Sequence, residues 1–164
     1  MVNRREILDV IWNISLVCPW DCKICCVDAV HVTYENSRVK VRTDNLNNVY
    51  ETRRIEKESI YDQAAKVLQE TGRELNLAQK LMVVDNLRGY KTKINFSGGD
   101  PLVLDENLEL MRYAVSVFGK DLMEVSTTGV GLSKRSPEDL KELITKLDFS
   151  YDATEGVYHP NRPE

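Results

Sequence analysis

Cysteine is absent from all but one short stretch of this 164-residue chain, and long apolar runs are absent throughout. No segment approaches the roughly 18 consecutive apolar residues of a membrane helix, so no membrane partner is expected. A basic excess is missing as well. Lys plus Arg number 22 against 26 Asp plus Glu, a formal net charge of −4, which argues against a general binder of nucleic acid or of anionic membrane surfaces. With eight Gly, five Pro and no repeat or low-complexity tract, the chain is neither collagen-like nor disordered in composition. Residues 1–6 lead into strand-like sequence without a secretory apolar region, so the cytoplasm is the expected address. The length suits one domain, residues 1–164.

What is present is a regular alternation. Ile7 to Val17 is apolar and β-branched and predicts a buried strand. From Val27 to about Thr43 apolar and polar residues alternate around Asn36-Ser37, which predicts a solvent-facing hairpin, and residues 44–48 read as a loop. Helices are expected over Glu56 to Glu70 and from Asn76 to about Arg88-Gly89, the second opened by an Asn76/Gln79 capping box. Then follow a strand at Lys93 to Ser97, a helix at Glu106 to Phe118 and a strand at Leu122 to Ser126. A helix opened by Ser136-Pro137 and a strand at Asp148 to Tyr151 complete the series. The order β-α-β-α-β-α-β predicts an α/β fold with about four parallel strands. In such sheets the site lies at the carboxyl ends of the strands, and every unusual cluster falls there: the cysteines, Gly98-Gly99-Asp100-Pro101, Thr127-Thr128-Gly129 and Tyr151-Asp152-Ala153.

The four cysteines stand at 18, 22, 25 and 26. Disulfide frameworks spread their cysteines, whereas a cluster in a reducing compartment indicates metal or redox chemistry. Cys18, Cys22 and Cys25 have the spacing C-x3-C-x2-C. Three thiolates on one short segment can hold three irons of a [4Fe–4S] cluster and leave the fourth open. A zinc site ordinarily takes two separated ligand pairs, and no second pair is within suitable spacing. A redox Cys22/Cys25 pair leaves Cys18 unexplained. His31 and His159 are isolated and read as ordinary polar residues, and Cys26 as a bystander thiol. Trp20 serves equally well as a shield for the cluster or as packing. Asp21 and Lys23 read as loop surface, Tyr151 and Tyr158 as packing, and Arg38, Lys40, Arg42, Arg53 and Arg54 as a solvated face rather than an anion site.

C-x3-C-x2-C after a first strand, with Gly-Gly-Asp-Pro after a second, resembles the radical S-adenosylmethionine (radical SAM) superfamily, and the flanking text resembles its peptide-modifying branch. The resemblance covers residues 7–26 and 75–162, and 27–73 is expected to be an insertion of hairpin and helix. It implies a partial (β/α)6 TIM-like barrel. It implies that Cys18, Cys22 and Cys25 bind a [4Fe–4S] cluster whose open iron is chelated by S-adenosyl-L-methionine. Gly98, Gly99, Asp100 and Pro101 would meet the SAM amino group, Thr127 and Thr128 its ribose or the substrate, and Ser150 and Asp152 SAM again. Ile24 stands where the family often has an aromatic residue near adenine; Asp100 replaces Glu and Thr128 replaces Asn.

The implied activity is reductive cleavage of SAM to methionine and a 5′-deoxyadenosyl radical that abstracts hydrogen from a substrate, a small molecule or peptide, with a flavodoxin- or ferredoxin-type electron donor. The family core has six strands, so a truncated, split or fragment form is expected, one that self-associates or recruits a complementing chain. Two alternatives stand beside the enzyme: a non-catalytic iron–sulfur accessory module and a zinc-binding structural protein.

Overall fold

The first apolar run forms β1 (Leu8–Ser15), and after Leu16 the chain resumes as β2 (Val17–Cys18) in a different sheet. The computed structural model describes residues 7–22, 25–42 and 49–150. Next come β3 (Val30–Glu35), β4 (Arg38–Arg42), β5 (Val49–Arg53), α1 (Ile60–Glu70) and α2 (Leu77–Asn86). They are followed by β6 (Thr92–Gly98), α3 (Asp105–Phe118), β7 (Met123–Thr127), α4 (Pro137–Leu143) and β8 (Lys146–Phe149). The fold is α/β. One sheet has the order β1-β6-β7-β8 and is parallel throughout; the other has the order β2-β3-β4-β5, parallel between β2 and β3 and antiparallel beyond.

The helix signals act locally. Ser59 accepts from Tyr61 N–H, which starts α1 at Ile60, later than the expected Glu56. Asn76 and Gln79 form the reciprocal capping box, and Ser136 caps α4 with Pro137 at its first position. Asn36 and Ser37, both at positive φ, make the two-residue turn between β3 and β4.

Three expectations change. The strand expected over 7–17 is broken at Leu16, where Ser15 Oγ accepts from Val17 N–H and the Glu74 carboxylate takes Ser15 Oγ–H and Leu16 N–H. It is also not a buried strand: β1 pairs only with β6, and Ile11 is 77% exposed. The expected hairpin is part of a larger sheet, since β5 adds to β4.

Two apolar cores follow from this arrangement. Ile94, Phe96, Met123 and Val125 of the parallel sheet pack with Met111 and Leu110 of α3 and with Val84 and Leu143. Val17, Val30, Val32, Val39 and Val41 of the mixed sheet pack on Ala64, Ala65 and Leu68 of α1. Between them Lys80, 1% exposed, pairs with Glu74 at 3.2 Å and Glu106 at 2.7 Å. Among the described residues no helix is long and apolar enough to cross a membrane.

Candidate functional site

Backbone hydrogen bonds fasten the carboxyl end of β6 to that of β1 and the end of β8 to that of β7. Gly99 N–H donates to the Ser15 carbonyl at 2.8 Å and Asp100 N–H to the Val17 carbonyl at 2.9 Å. Ser150 N–H donates to the Thr127 carbonyl at 3.0 Å. The turn after β6 therefore lies against the residues that lead into Cys18. Both glycines are needed for this approach. A Cβ on Gly98, which has φ +126°, would overlap the Ser15 carbonyl oxygen, and one on Gly99 would overlap that of Val17.

Asp100 is fully buried, and its carboxylate ties two loops together. Thr127 Oγ1 donates to it at 2.9 Å, Thr128 Oγ1 donates to its other oxygen, Gly131 N–H donates at 3.2 Å and Leu102 N–H at 3.0 Å. The hydroxyls of Thr127 and Thr128 then accept from Gly129 and Val130 N–H. The Pro101 carbonyl accepts from Asn107 Nδ2 at 3.0 Å. The sequence-predicted residues Gly98 to Pro101, Thr127 and Thr128 are thus brought together, but the side chains of Asp100, Thr127 and Thr128 are engaged with each other. Ser150 closes the described part of the fourth strand end. Ile24 and Asp152 lie outside the described residues, as do Lys23, Tyr151, Tyr158 and His159.

Cys18 and Cys22 are buried, Cys25 is half-buried and Cys26 exposed, all as free thiols. Trp20 N–H donates to Cys18 Sγ at 3.4 Å and Ala29 N–H to Cys25 Sγ at 3.3 Å. Burial pushes the Cys18 thiol up to about 12, and negative charge on Asp100, Cys22 and Cys25 adds to the rise, against the Trp20 N–H. A thiol so placed stays protonated unless a cation replaces its proton. Among the described residues no three His, Cys, Asp or Glu converge on a single metal ion. In chemical type alone the donors suit an iron–sulfur cluster: Cys18, Cys22 and Cys25 are three soft thiols on one segment, and two of them already accept backbone N–H groups.

Sequence reasoning missed three contributors. Tyr61, at the start of α1, has its hydroxyl raised by burial and then by the charges of Cys18 and Asp100, and Lys134 stands 4.6 Å from its ring centroid. Nothing in the linear pattern joins these residues. Glu74, which holds Ser15 and Leu16, and Lys80, which holds Glu74, were equally unmarked, although Lys80 lies three residues after Leu77 on the apolar side of α2. Arg42 pairs with Asp21, so Asp21 is not plain loop surface. Compared with known proteins, the chain matches no family model, no curated protein and no solved structure.

Proposed function

We propose that the chain carries a radical SAM core, a partial (β/α)6 TIM-like barrel interrupted by residues 27–73, and that it acts as an enzyme. Cys18, Cys22 and Cys25 would hold a [4Fe–4S] cluster, and S-adenosyl-L-methionine would lie across the carboxyl ends of β1, β6, β7 and β8. Bound there, the cluster supplies one electron for reductive cleavage of SAM to methionine and a 5′-deoxyadenosyl radical.

The observation that carries this reading is the backbone seam of Gly99 and Asp100 on Ser15 and Val17, which sets the thiol segment beside the Gly-Gly turn at the functional end of a parallel sheet. The chain's own residues do the positioning. Burial of Cys18 and Cys22 keeps water from their sulfurs, and the N–H groups of Trp20 and Ala29 stabilise the thiolate forms. Gly98 and Gly99 bring bare backbone to the rim, where carbonyl oxygens suit the SAM ammonium group. Asp100 keeps the loops after β6 and β7 in register instead of reaching out itself. The partners in this reading are a flavodoxin- or ferredoxin-type donor and a peptide or small-molecule substrate, in the cytoplasm.

The test is anaerobic reconstitution with iron and sulfide. A brown protein with about four irons per chain, colourless when all three cysteines are alanine, is expected. With dithionite and SAM it should release 5′-deoxyadenosine. Zinc in place of iron overturns the cluster, and iron without 5′-deoxyadenosine overturns the enzyme in favour of an accessory module.

A further inference from the structure

Residues 27–73 build a sheet that takes hold of the cysteine segment. Cys18 is itself the last residue of β2, paired in parallel with β3 through Val17↔Val30 and Cys18↔His31, and Val30 N–H donates to the Leu16 carbonyl at 2.7 Å. The connection between β2 and β3 carries the remaining thiols, so it is tied at both ends. Side chains alternate along strands, and His31 is opposite Arg42 on β4. Cys18, His31 and Arg42 thus form one row across three strands, offset from the valines that pack on α1. At the end of the row the Arg42 guanidinium meets the carboxylate of Asp21, the residue before Cys22.

Arg42 and Asp21 keep 38% and 31% of their side-chain surface exposed, and pairs of that kind add little to global stability. Neighbouring Arg38 and Lys40 pair only within the sheet, with Glu51 and Glu35. Among the described residues Arg42 is the side chain of this basic strand that pairs with the cysteine segment, and it reaches the middle, where the strand pairing does not hold it. Guanidinium suits the task because it is permanently charged and grips a carboxylate with a planar fork. It also neutralises the carboxylate of the residue that precedes Cys22.

We propose that Arg42 is a positioning residue for the thiol site: through Asp21 it fixes the segment carrying Cys22 and cancels the Asp21 charge there. The inference rests on the cluster reading for its redox consequence, but not for its positional one.

Two arms test it on the full chain. In the reduced, metal-free protein, Arg42→Gln and Asp21→Asn should both speed alkylation of Cys22, Arg42→Lys should do so less because it keeps the charge without the fork, and Lys40→Gln should stay close to the parent. In the reconstituted protein, both variants should lose iron to a chelator about ten-fold faster, the scale seen for residues supporting metal ligands. Their reduction potentials should move in opposite directions: down for Arg42→Gln, which leaves Asp21 unpaired, and up for Asp21→Asn, which leaves Arg42 unpaired. Unchanged Cys22 alkylation overturns the proposal, and potentials moving the same way overturn the charge compensation. If the parent chain takes up no iron, the cluster reading fails and the alkylation arm alone decides the positioning role.

Discussion

The two sheets solve the same problem with different means. The parallel sheet buries large side chains, Phe96, Met123 and Ile94 among them, under α2, α3 and α4. The mixed sheet buries a row of valines against Ala64, Ala65 and Leu68 of α1 and against Val103 and Leu104. The parallel sheet is built from successive strand–helix units, the mixed one from a hairpin extended on both sides. Yet they share a strand path: β1 runs into β2 through Leu16, and the turn after β6 is hydrogen-bonded to that junction. The thiols sit where the two sheets meet. That position brings the mixed sheet against the cysteine segment instead of leaving it apart.

The Asp100 carboxylate, beside that junction, should be the most sensitive place in the molecule. Asp100→Ala removes the acceptor for four donors in a fully buried place, and a loss of about 5 kcal/mol is expected from leaving them unsatisfied. Asp100→Asn keeps one acceptor oxygen but turns an amide N–H2 toward a donor, so about 2 kcal/mol should go. Urea unfolding of the full chain checks both. If Asp100→Ala costs no more than an ordinary surface change, the carboxylate is not what holds the loops after β6 and β7 together.

The two cores themselves come next. Phe96→Ala should cost about 4 kcal/mol and Val41→Ala about 2 kcal/mol, because the first leaves the larger void. Because the two residues belong to separate apolar clusters, the double variant should lose the sum to within about 0.5 kcal/mol. A clear departure from additivity would mean that one core senses the other, and the distinction between the sheets would weaken.

A subtler effect runs through Glu74, which touches the junction at Ser15 and Leu16 and the buried Lys80. Burial holds the Glu74 carboxyl above its ordinary 4.5, against the pull of Lys80 and the Leu16 N–H. The folded chain therefore keeps this proton to higher pH than the unfolded chain does. Its contribution to stability is complete below pH 4.5 and declines as pH rises through the folded value. Denaturation midpoints measured from pH 4.5 upward should show the parent falling relative to Glu74→Gln. A gap that widens in the parent's favour would show that Lys80 outweighs burial.

How far these regions were legible in the sequence follows the range of the forces. Local signals were clear: the capping box at Asn76, Ser136-Pro137 at α4 and the Asn36-Ser37 turn all act over a few residues. The succession of parallel strands was also legible, since the period changes from element to element. The division of the first strand between two sheets was not, because it depends on Glu74, far along the chain, holding Ser15 and Leu16. The Asp100 network was hidden for the same reason. Asp100, Thr127 and Thr128 were marked as special residues, but only folding reveals that they satisfy one another.

The smallest expected effect separates function from architecture within a single strand. Arg38, Lys40 and Arg42 project from the same face of β4, and by sequence they are equivalent. Arg38 pairs with Glu51 at 3.0 Å with 54% and 39% of the two side chains exposed, so water screens the pair on both sides. Arg38→Gln should change stability by no more than about 0.5 kcal/mol and should leave Cys22 alkylation at the parental rate. The same exchange at Arg42 should likewise spare stability but accelerate that alkylation. The stability arm and the reactivity arm thus come apart only where a guanidinium reaches across to the thiol segment. If Arg38→Gln exposed Cys22 as readily as Arg42→Gln, the mixed sheet would be acting as a whole, through its general rigidity, and no single residue of it could be assigned to the site.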